Sequence, residues 1–246
     1  MKTRLTRICR HPIKAHGRED LASVLLSAGA CLPGDRRWAV AHTAAKLAPG
    51  WNPCSNFHRG AKAPKLMAIT AELNGNRVTL RHPDRPELCF SPDDPADLSR
   101  FLAWVAPLSP TDRAQPSHIV SADRGMTDSA FPSVSILSET SLNALATVMG
   151  RPISADRFRG NIWLTGDEPF AEFGWIGRDI QIGDAILTVK ERITRCRATM
   201  ANTATGVVDA DTLGALRTAY GHQDFGVYAV VKNGGMIAVN DVGTLL

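Results

Sequence analysis

Short apolar runs alternate with glycine, proline and Asn-Gly punctuation along most of the chain, a pattern of many short strands rather than long helices. The first run, residues 5–8, ends before Pro12, which cannot donate within a sheet. Residues 21–26 and 38–41 read as further strands, and 66–73 and 77–80 flank Asn74-Gly75-Asn76, a hairpin turn. At Asp94-Pro95 an N-cap residue precedes one suited to the first helical position, so a helix is expected there, through Phe101, Leu102 and Val105 and ending before Pro107. Residues 108–132 are rich in Pro, Ser, Asp and Thr and poor in apolar side chains. They are expected to form a linker or long exposed loop between a first domain, 1–107, and a second, 133–246.

The second half opens with the strand Val134-Ser135-Ile136-Leu137. Ser138 then caps a helix whose apolar residues Leu142, Leu145, Ala146 and Met149 share one face, and Gly150 and Pro152 end it. Strands are expected at 162–164 and 180–182, and Gly183-Asp184 turns the chain into 186–189. A short helix fits 211–220, and the end is a hairpin of 227–231 and 236–239 around Asn233-Gly234-Gly235. The sum is a β-rich α+β architecture with few helices, the composition of curled sheets and barrels.

Composition narrows the function classes. The 246 residues are 44% hydrophobic and 21% charged, ordinary for a globular protein, with no apolar run near the roughly 20 residues of a membrane helix. The basic start, Met1 to Arg7, is followed by no apolar stretch, so no secretory signal is read and a cytoplasmic location is expected. The net charge of +4 is weak support for an anionic partner. Nucleic acid is a poor fit, since there is no lysine-rich run and only 2 tyrosines are present for stacking. The 5 cysteines are widely spaced without C-x-x-C, which argues against zinc ribbons and paired redox thiols.

Three clusters carry candidate chemistry. In Arg192-Ile193-Thr194-Arg195-Cys196-Arg197 three arginines lie close to one thiol at the end of an expected strand. Cationic neighbours favour thiolate, the form that attacks or ligates metal; a buried thiol beside surface arginines is the alternative. In Arg157-Phe158-Arg159-Gly160-Asn161, Gly160 would let the backbone approach a ligand, Arg159 suits phosphate, and Asn161 can both donate and accept toward a heterocycle. The third pairs His11-Pro12-Ile13-Lys14 with Gly34-Asp35-Arg36-Arg37-Trp38, placing Lys14 and Arg36 after short strands. His222 and Asp224 are possible proton donors, though a surface loop explains them as well.

These clusters, in this order, resemble the MOSC family with its N-terminal β-barrel companion domain. His11-Pro12-Ile13-Lys14-Ala15 is similar to the companion's Tyr-Pro-Ile-Lys-Ser, Gly34-Asp35-Arg36-Arg37-Trp38 to its Asp-Arg-x-Trp, and Pro64-Lys65-Leu66 to its Pro-x-Leu. The segments 135–142, 157–162, 175–184, Arg195-Cys196, Thr205-Gly206 and Phe225-Gly226-Val227-Tyr228 resemble the MOSC domain. Departures are His11 for tyrosine, Ala15 for serine, Gly160 for proline, and Val239-Asn240-Asp241-Val242 for Val-Gly-Asp-x-Val. The resemblance implies an N-terminal β-barrel-like domain packed on a C-terminal MOSC β-barrel. It implies a molybdenum cofactor (molybdopterin) between them, Cys196 as metal ligand, and Lys14, Arg36, Arg159, Asn161, Arg195 and Ser138 as cofactor-holding positions, with Ser141 a weaker one. It further implies reduction of N-hydroxylated compounds or N- and S-oxides, with electrons from a separate reductase because no iron–sulfur pattern is present. The alternative is a non-catalytic cofactor or sulfur carrier.

Overall fold

The computed structural model describes residues 2–166 and 168–246. In chain order the elements are β1 (Lys2–Arg10), β2 (Glu19–Leu21), β3 (Ser23–Leu26), β4 (Trp38–His42), β5 (Thr70–Asn74), β6 (Arg77–His82), β7 (Arg85–Phe90), α1 (Pro95–Val105) and β8 (Pro116–Ser121). They continue with β9 (Val134–Ser138), α2 (Glu139–Val148), β10 (Ile162–Leu164), β11 (Asp179–Ile182), β12 (Ala185–Thr194), α3 (Thr212–Tyr220), β13 (Asp224–Asn233), β14 (Gly235–Ala238) and β15 (Val242–Leu245).

Seven strands close a barrel in the order β1, β10, β9, β13, β12, β11, β15, with β15 returning to β1 and β2 attached to the outside edge. Alternation drives closure: on β12, Ala185, Leu187 and Val189 point inward while Lys190 to Arg192 are exposed. The barrel is filled by Leu5, Ile8, Val134, Ile136, Ile162, Leu164, Ile180, Ile182, Val227, Ala229 and Val231. β9 is buried at every position. Its Val134 and Ile136 face the barrel, while Leu137 packs outward on Phe158, Trp163 and Phe225 under α2, which crosses over to the parallel neighbour β10.

A second core lies in the first half, where the β5-β6-β7 meander, the β4–β8 pair and α1 enclose Ile13, Trp38, Val40, Leu66, Phe90, Phe101 and Trp104. The first strand therefore contributes to the barrel of the second half, while Ile13, three residues beyond it, is anchored in the other core. The chain between them lies where the halves meet.

Helix starts follow the sequence: Asp94 accepts from Ala96 N, and Ser138 from Ser141 N. Three expectations change. The stretch 108–132 is not a plain linker, because it contains β8, paired with β4 from Trp38 to His42. Its strand signal was only Ile119-Val120, and the pairing supplies the rest. Residues 21–26 form two strands, since β2 pairs with β1 and β3 with β14 across a break at Ala22. In 66–73, Leu66, Met67 and Ala68 are all buried in a tight 3-10 turn that starts at Pro64, and β5 begins only at Thr70. Among the described residues no helix is long and apolar enough to cross a membrane.

Candidate functional site

A cavity of about 240 Å³ opens where the halves meet. Its wall combines Lys14, Ala15 and Arg36 from the first half with Phe158, Arg159, Arg195, Cys196 and Tyr228 from the second, joined by Asp128 and Arg59. The two sides approach closely at Gly60, where a Cβ would lie 2.7 Å from Met67 Sδ and 3.4 Å from Ala198 Cβ. A side chain there would first press on Met67, while the turn after Cys196 lies at ordinary contact distance.

Cys196 follows β12 and precedes the 3-10 turn Arg197–Met200; it is exposed. Arg195 is turned inward and fixed by its own hydrogen bonds: Nε donates to the Phe225 carbonyl at 2.8 Å and Nη1 to the Phe158 carbonyl at 2.8 Å. Burial pushes its guanidinium down to about 10. The other two arginines of that cluster do not reach the cavity wall; Arg192 lies over the Phe173 ring and Arg197 is exposed.

Arg36 and Arg159 are interlocked. Arg36 is paired with buried Asp35, and its Nη2 donates to the Arg159 carbonyl at 2.9 Å. Burial opposes the charge of Arg36, but Asp35 and Asp128 outweigh it and hold its pKa above the ordinary value. Arg159 has no such partner among the described residues. Its Nη2 donates to the Gly17 carbonyl at 3.1 Å, and burial, followed by the charges of Arg36 and Arg18, pushes it down to about 9. Lys14 is neutralised, since Nζ donates to Asp128 Oδ1 at 2.5 Å and to the Met126 carbonyl at 2.7 Å. Asp128 sits at the exposed rim, and Lys14, Arg36 and Arg195 outweigh the partial desolvation there and keep its carboxyl below the usual range. Arg157 is matched by Asp209 at 2.6 Å.

The charge balance is therefore uneven. Arg59, Arg159 and Arg195 face the cavity without a carboxylate partner among the described residues. Backbone strain gathers at the same place. Ala15 (φ 63°), Arg36 (φ 50°) and Arg159 (φ 48°) all line the cavity, out of five non-glycine residues with positive φ among those described. Such conformations cost on the order of 1–3 kcal/mol each and persist where surroundings enforce them.

Two expected site residues lie elsewhere. Asn161 is buried behind the wall, with its oxygen accepting from Ser135 N and Oγ at 3.1 and 2.8 Å and its Nδ2 donating to the Cys9 carbonyl at 3.2 Å. It ties β1, β9 and the entry to β10 together, and so positions Arg159 without touching the cavity. Ser138 caps α2, with Ser141 beside it donating to the buried carboxylate of Glu172, and neither lines the cavity. Gly160 serves packing rather than ligand approach, since a Cβ there would sit 2.3 Å from Leu137 Cδ1. His222 is ringed by Phe170, Phe173 and Tyr220, and Asp224 accepts from Thr194 at 2.7 Å; both are off the cavity wall.

Sequence reasoning missed Asp128, Arg59 and Cys54, and it gave Tyr228 no role. Asp128 sits in the stretch read as a linker, and only the β4–β8 pairing brings it under Lys14. Arg59 donates to Cys54 Sγ at 3.1 Å in a loop without periodicity.

Comparison with known proteins fits this arrangement. The MOSC N-terminal beta barrel domain matches residues 2–114, and the MOSC domain matches 125–243. Mitochondrial amidoxime-reducing component 1 of Mus musculus and that of Homo sapiens are each 34% identical over 123 residues, covering 45% of this chain and 36% of theirs. The match thus spans little more than a third of the length of those relatives. The crystal structure of the YUAD protein from Bacillus subtilis aligns over 100% of this chain and 96% of its own, with a TM-score of 0.51 and 13% identity, a likeness of fold alone. The two domains follow one another in order along nearly the whole chain, around a barrel and a companion core, and the chain belongs to the MOSC domain family with an N-terminal MOSC β-barrel domain.

Proposed function

We propose that the cavity holds a molybdopterin-type molybdenum cofactor, with Cys196 as its protein thiolate. The chain then reduces N-hydroxylated compounds or N- and S-oxides with electrons from a separate donor protein. The observation that carries this reading is the set of three guanidinium groups, Arg59, Arg159 and Arg195, without carboxylate partners among the described residues, around a cavity that also presents the exposed Cys196 thiol. Uncompensated cations in a partly desolvated wall favour an anionic occupant, and guanidinium donors match phosphate and pterin oxygens in geometry. The donor set fits such a group: a soft thiolate suits a metal already bound by dithiolene sulfur. The relatives' printed name, amidoxime-reducing, supplies the substrate class proposed here.

When bound, the cofactor supplies two-electron, oxygen-accepting redox chemistry. The chain's own residues do the rest. Arg159 and Arg195 donate to the anionic groups, fixed from behind by the Gly17, Phe158 and Phe225 carbonyls. Arg36 holds the Arg159 backbone in place, and Lys14 holds Asp128 at the rim.

The test is elemental analysis with an amidoxime-reduction assay, on protein made in a host that synthesises the cofactor and in one that does not. Near-stoichiometric molybdenum and turnover are expected only from the first. Cys196→Ala should lose turnover while its unfolding midpoint stays put, because the side chain is exposed and such surface changes fall within about 0.5 kcal/mol. Retained activity in Cys196→Ala would refute the ligand role; sulfane sulfur without molybdenum would favour a sulfur carrier.

A further inference from the structure

The cavity wall carries several hydroxyl groups, and all but one are committed within the protein. Ser135 Oγ donates to Asn161 Oδ1 at 2.8 Å and accepts from Asn161 N at 2.9 Å. Thr194 Oγ1 donates to Asp224 Oδ1 at 2.7 Å. Thr199 Oγ1 is shared between the Cys196 carbonyl at 3.1 Å and Thr212 Oγ1 at 2.6 Å. Tyr228 is the exception: it lines the cavity half-buried, and no hydrogen-bond partner for its hydroxyl is present among the described residues. Its position is fixed by β13, where it pairs opposite Ser135 on β9 and Glu191 on β12, and by the edge of the Phe131 ring at 6.5 Å between centroids.

The wall's other O–H, N–H and S–H groups are poor candidates for giving up a proton. The Arg159 and Arg195 guanidinium groups are tied to the Gly17, Phe158 and Phe225 carbonyls and assigned to anionic groups of the cofactor, Lys14 is held by Asp128 and the Met126 carbonyl, and Asp128 is kept ionised. Cys196 is assigned to the metal, and Cys54 receives the Arg59 N–H at its sulfur.

We infer that Tyr228 is the proton donor of the reduction, delivering its phenolic hydrogen to the substrate oxygen as the N–O or S–O bond breaks. The inference rests on the reading of the cavity given above. For an amidoxime the balance is amidoxime plus two electrons plus two protons giving amidine plus water. The electrons come from the separate donor protein. One proton passes from Tyr228 to the departing oxygen and the second comes from water, and the phenolate is reprotonated from solvent at the rim near Asp128, whose side chain is 57% exposed. A general acid of this kind contributes roughly 10²–10⁴-fold in rate.

The charged groups around the phenol make its placement measurable without turnover. They are Asp128 from the segment after β8, Arg36 from the loop before β4, and Arg195 and Glu191 from β12 and its end. Burial, then the charge of Asp128, pushes the phenol up to about 12, against the pull of Arg195 and Arg36. Because the chain has only 2 tyrosines, Tyr220→Phe leaves Tyr228 as the sole phenol. In cofactor-free Tyr220→Phe protein, the ultraviolet phenolate band should appear near pH 12 and shift to lower pH when Asp128→Asn is added. A phenol titrating near 10, unmoved by Asp128→Asn, would overturn the placement and the inference with it.

In cofactor-loaded protein with benzamidoxime as probe, Tyr228→Phe should lower kcat by about 100-fold or more while KM and molybdenum content change less than about threefold. Unchanged kcat in Tyr228→Phe, beside active wild type, would overturn the inference and leave the cofactor reading standing. Loaded wild type that turns over neither benzamidoxime nor an N- or S-oxide would overturn both.

Discussion

Three buried histidines make the neighbourhood of the cavity acid-labile, by an amount that can be worked out. His11 is fully buried beside Asp35, and burial, then the charges of Arg159 and Arg36, push its pKa down to about 3. His58 is pushed to about 4 by burial and then by His42. His16 lies 3.2 Å from His58 through ring nitrogens, and burial and His58 drive it well below its ordinary value. All three are neutral in the native state. The sign follows: a depressed imidazole pKa means the unfolded chain binds protons first, so this stability is full above about pH 6.5 and is lost as pH falls toward the native values. Between pH 7 and pH 5 an unfolded imidazole goes from roughly a quarter charged to almost fully charged while the buried one stays neutral, costing about 2 kcal/mol per residue. His11 and His58 together thus remove about 4 kcal/mol, a large share of the roughly 5–15 kcal/mol that holds a domain folded. Asp35, held low by Arg36 and His11 against the opposing effect of burial, keeps its contribution until pH falls below its unfolded value of 3.8. Glu172 works in the opposite direction, since burial raises its pKa and acid relieves it. Comparing variants removes that contribution. Urea unfolding of cofactor-free wild type at pH 7 and pH 5 should differ more than in His11→Asn or His58→Asn, by about 2 kcal/mol for each histidine removed. Equal pH dependence in wild type and variants, or His11 and His58 proton resonances titrating near 6.5, would refute the reasoning.

Two further outcomes separate holding residues from bracing ones. Arg159→Gly relieves an unmatched buried cation and a left-handed backbone, so cofactor-free protein should gain about 1 kcal/mol in denaturant unfolding while the loaded form loses molybdenum on gel filtration. Asn161→Ala strands Ser135 N and Oγ and the Cys9 carbonyl, and should cost about 2–3 kcal/mol of stability by thermal or urea unfolding even without cofactor.

What the sequence could and could not disclose follows from the range of the forces involved. Lys14, Arg36, Arg159, Arg195 and Cys196 were legible because each sits in a short cluster whose order along the chain identifies the family, and they do meet at one cavity. Their individual states were not legible. Whether a cation is matched depends on a carboxylate reached through tertiary pairing: Lys14 finds Asp128 at a separation of 114 residues, while Arg159 finds none among the described residues. Asn161 carries polar groups suited to a heterocycle, yet Ser135 and Cys9 claim them from positions 26 and 152 residues away. Ser138 already had a sufficient local explanation as the N-cap of α2, and the structure gives it no second one.

The same topology bears on how the cavity is reached. β1 is a stave of the barrel, hydrogen-bonded to β10 on one side and to β15 on the other. Only His11 and Pro12 separate its last residue, Arg10, from Ile13 in the other core, and Lys14 follows at the cavity wall. Swinging the halves apart would peel β1 from one neighbour or pull Ile13 out of its core, and either breaks buried backbone pairs that water cannot replace without unfolding the barrel. Any occupant of the cavity is therefore admitted without the two halves separating. The strained Arg36 and Arg159 are held ready for it, because interlocked side chains on a closed barrel have no softer arrangement to relax into.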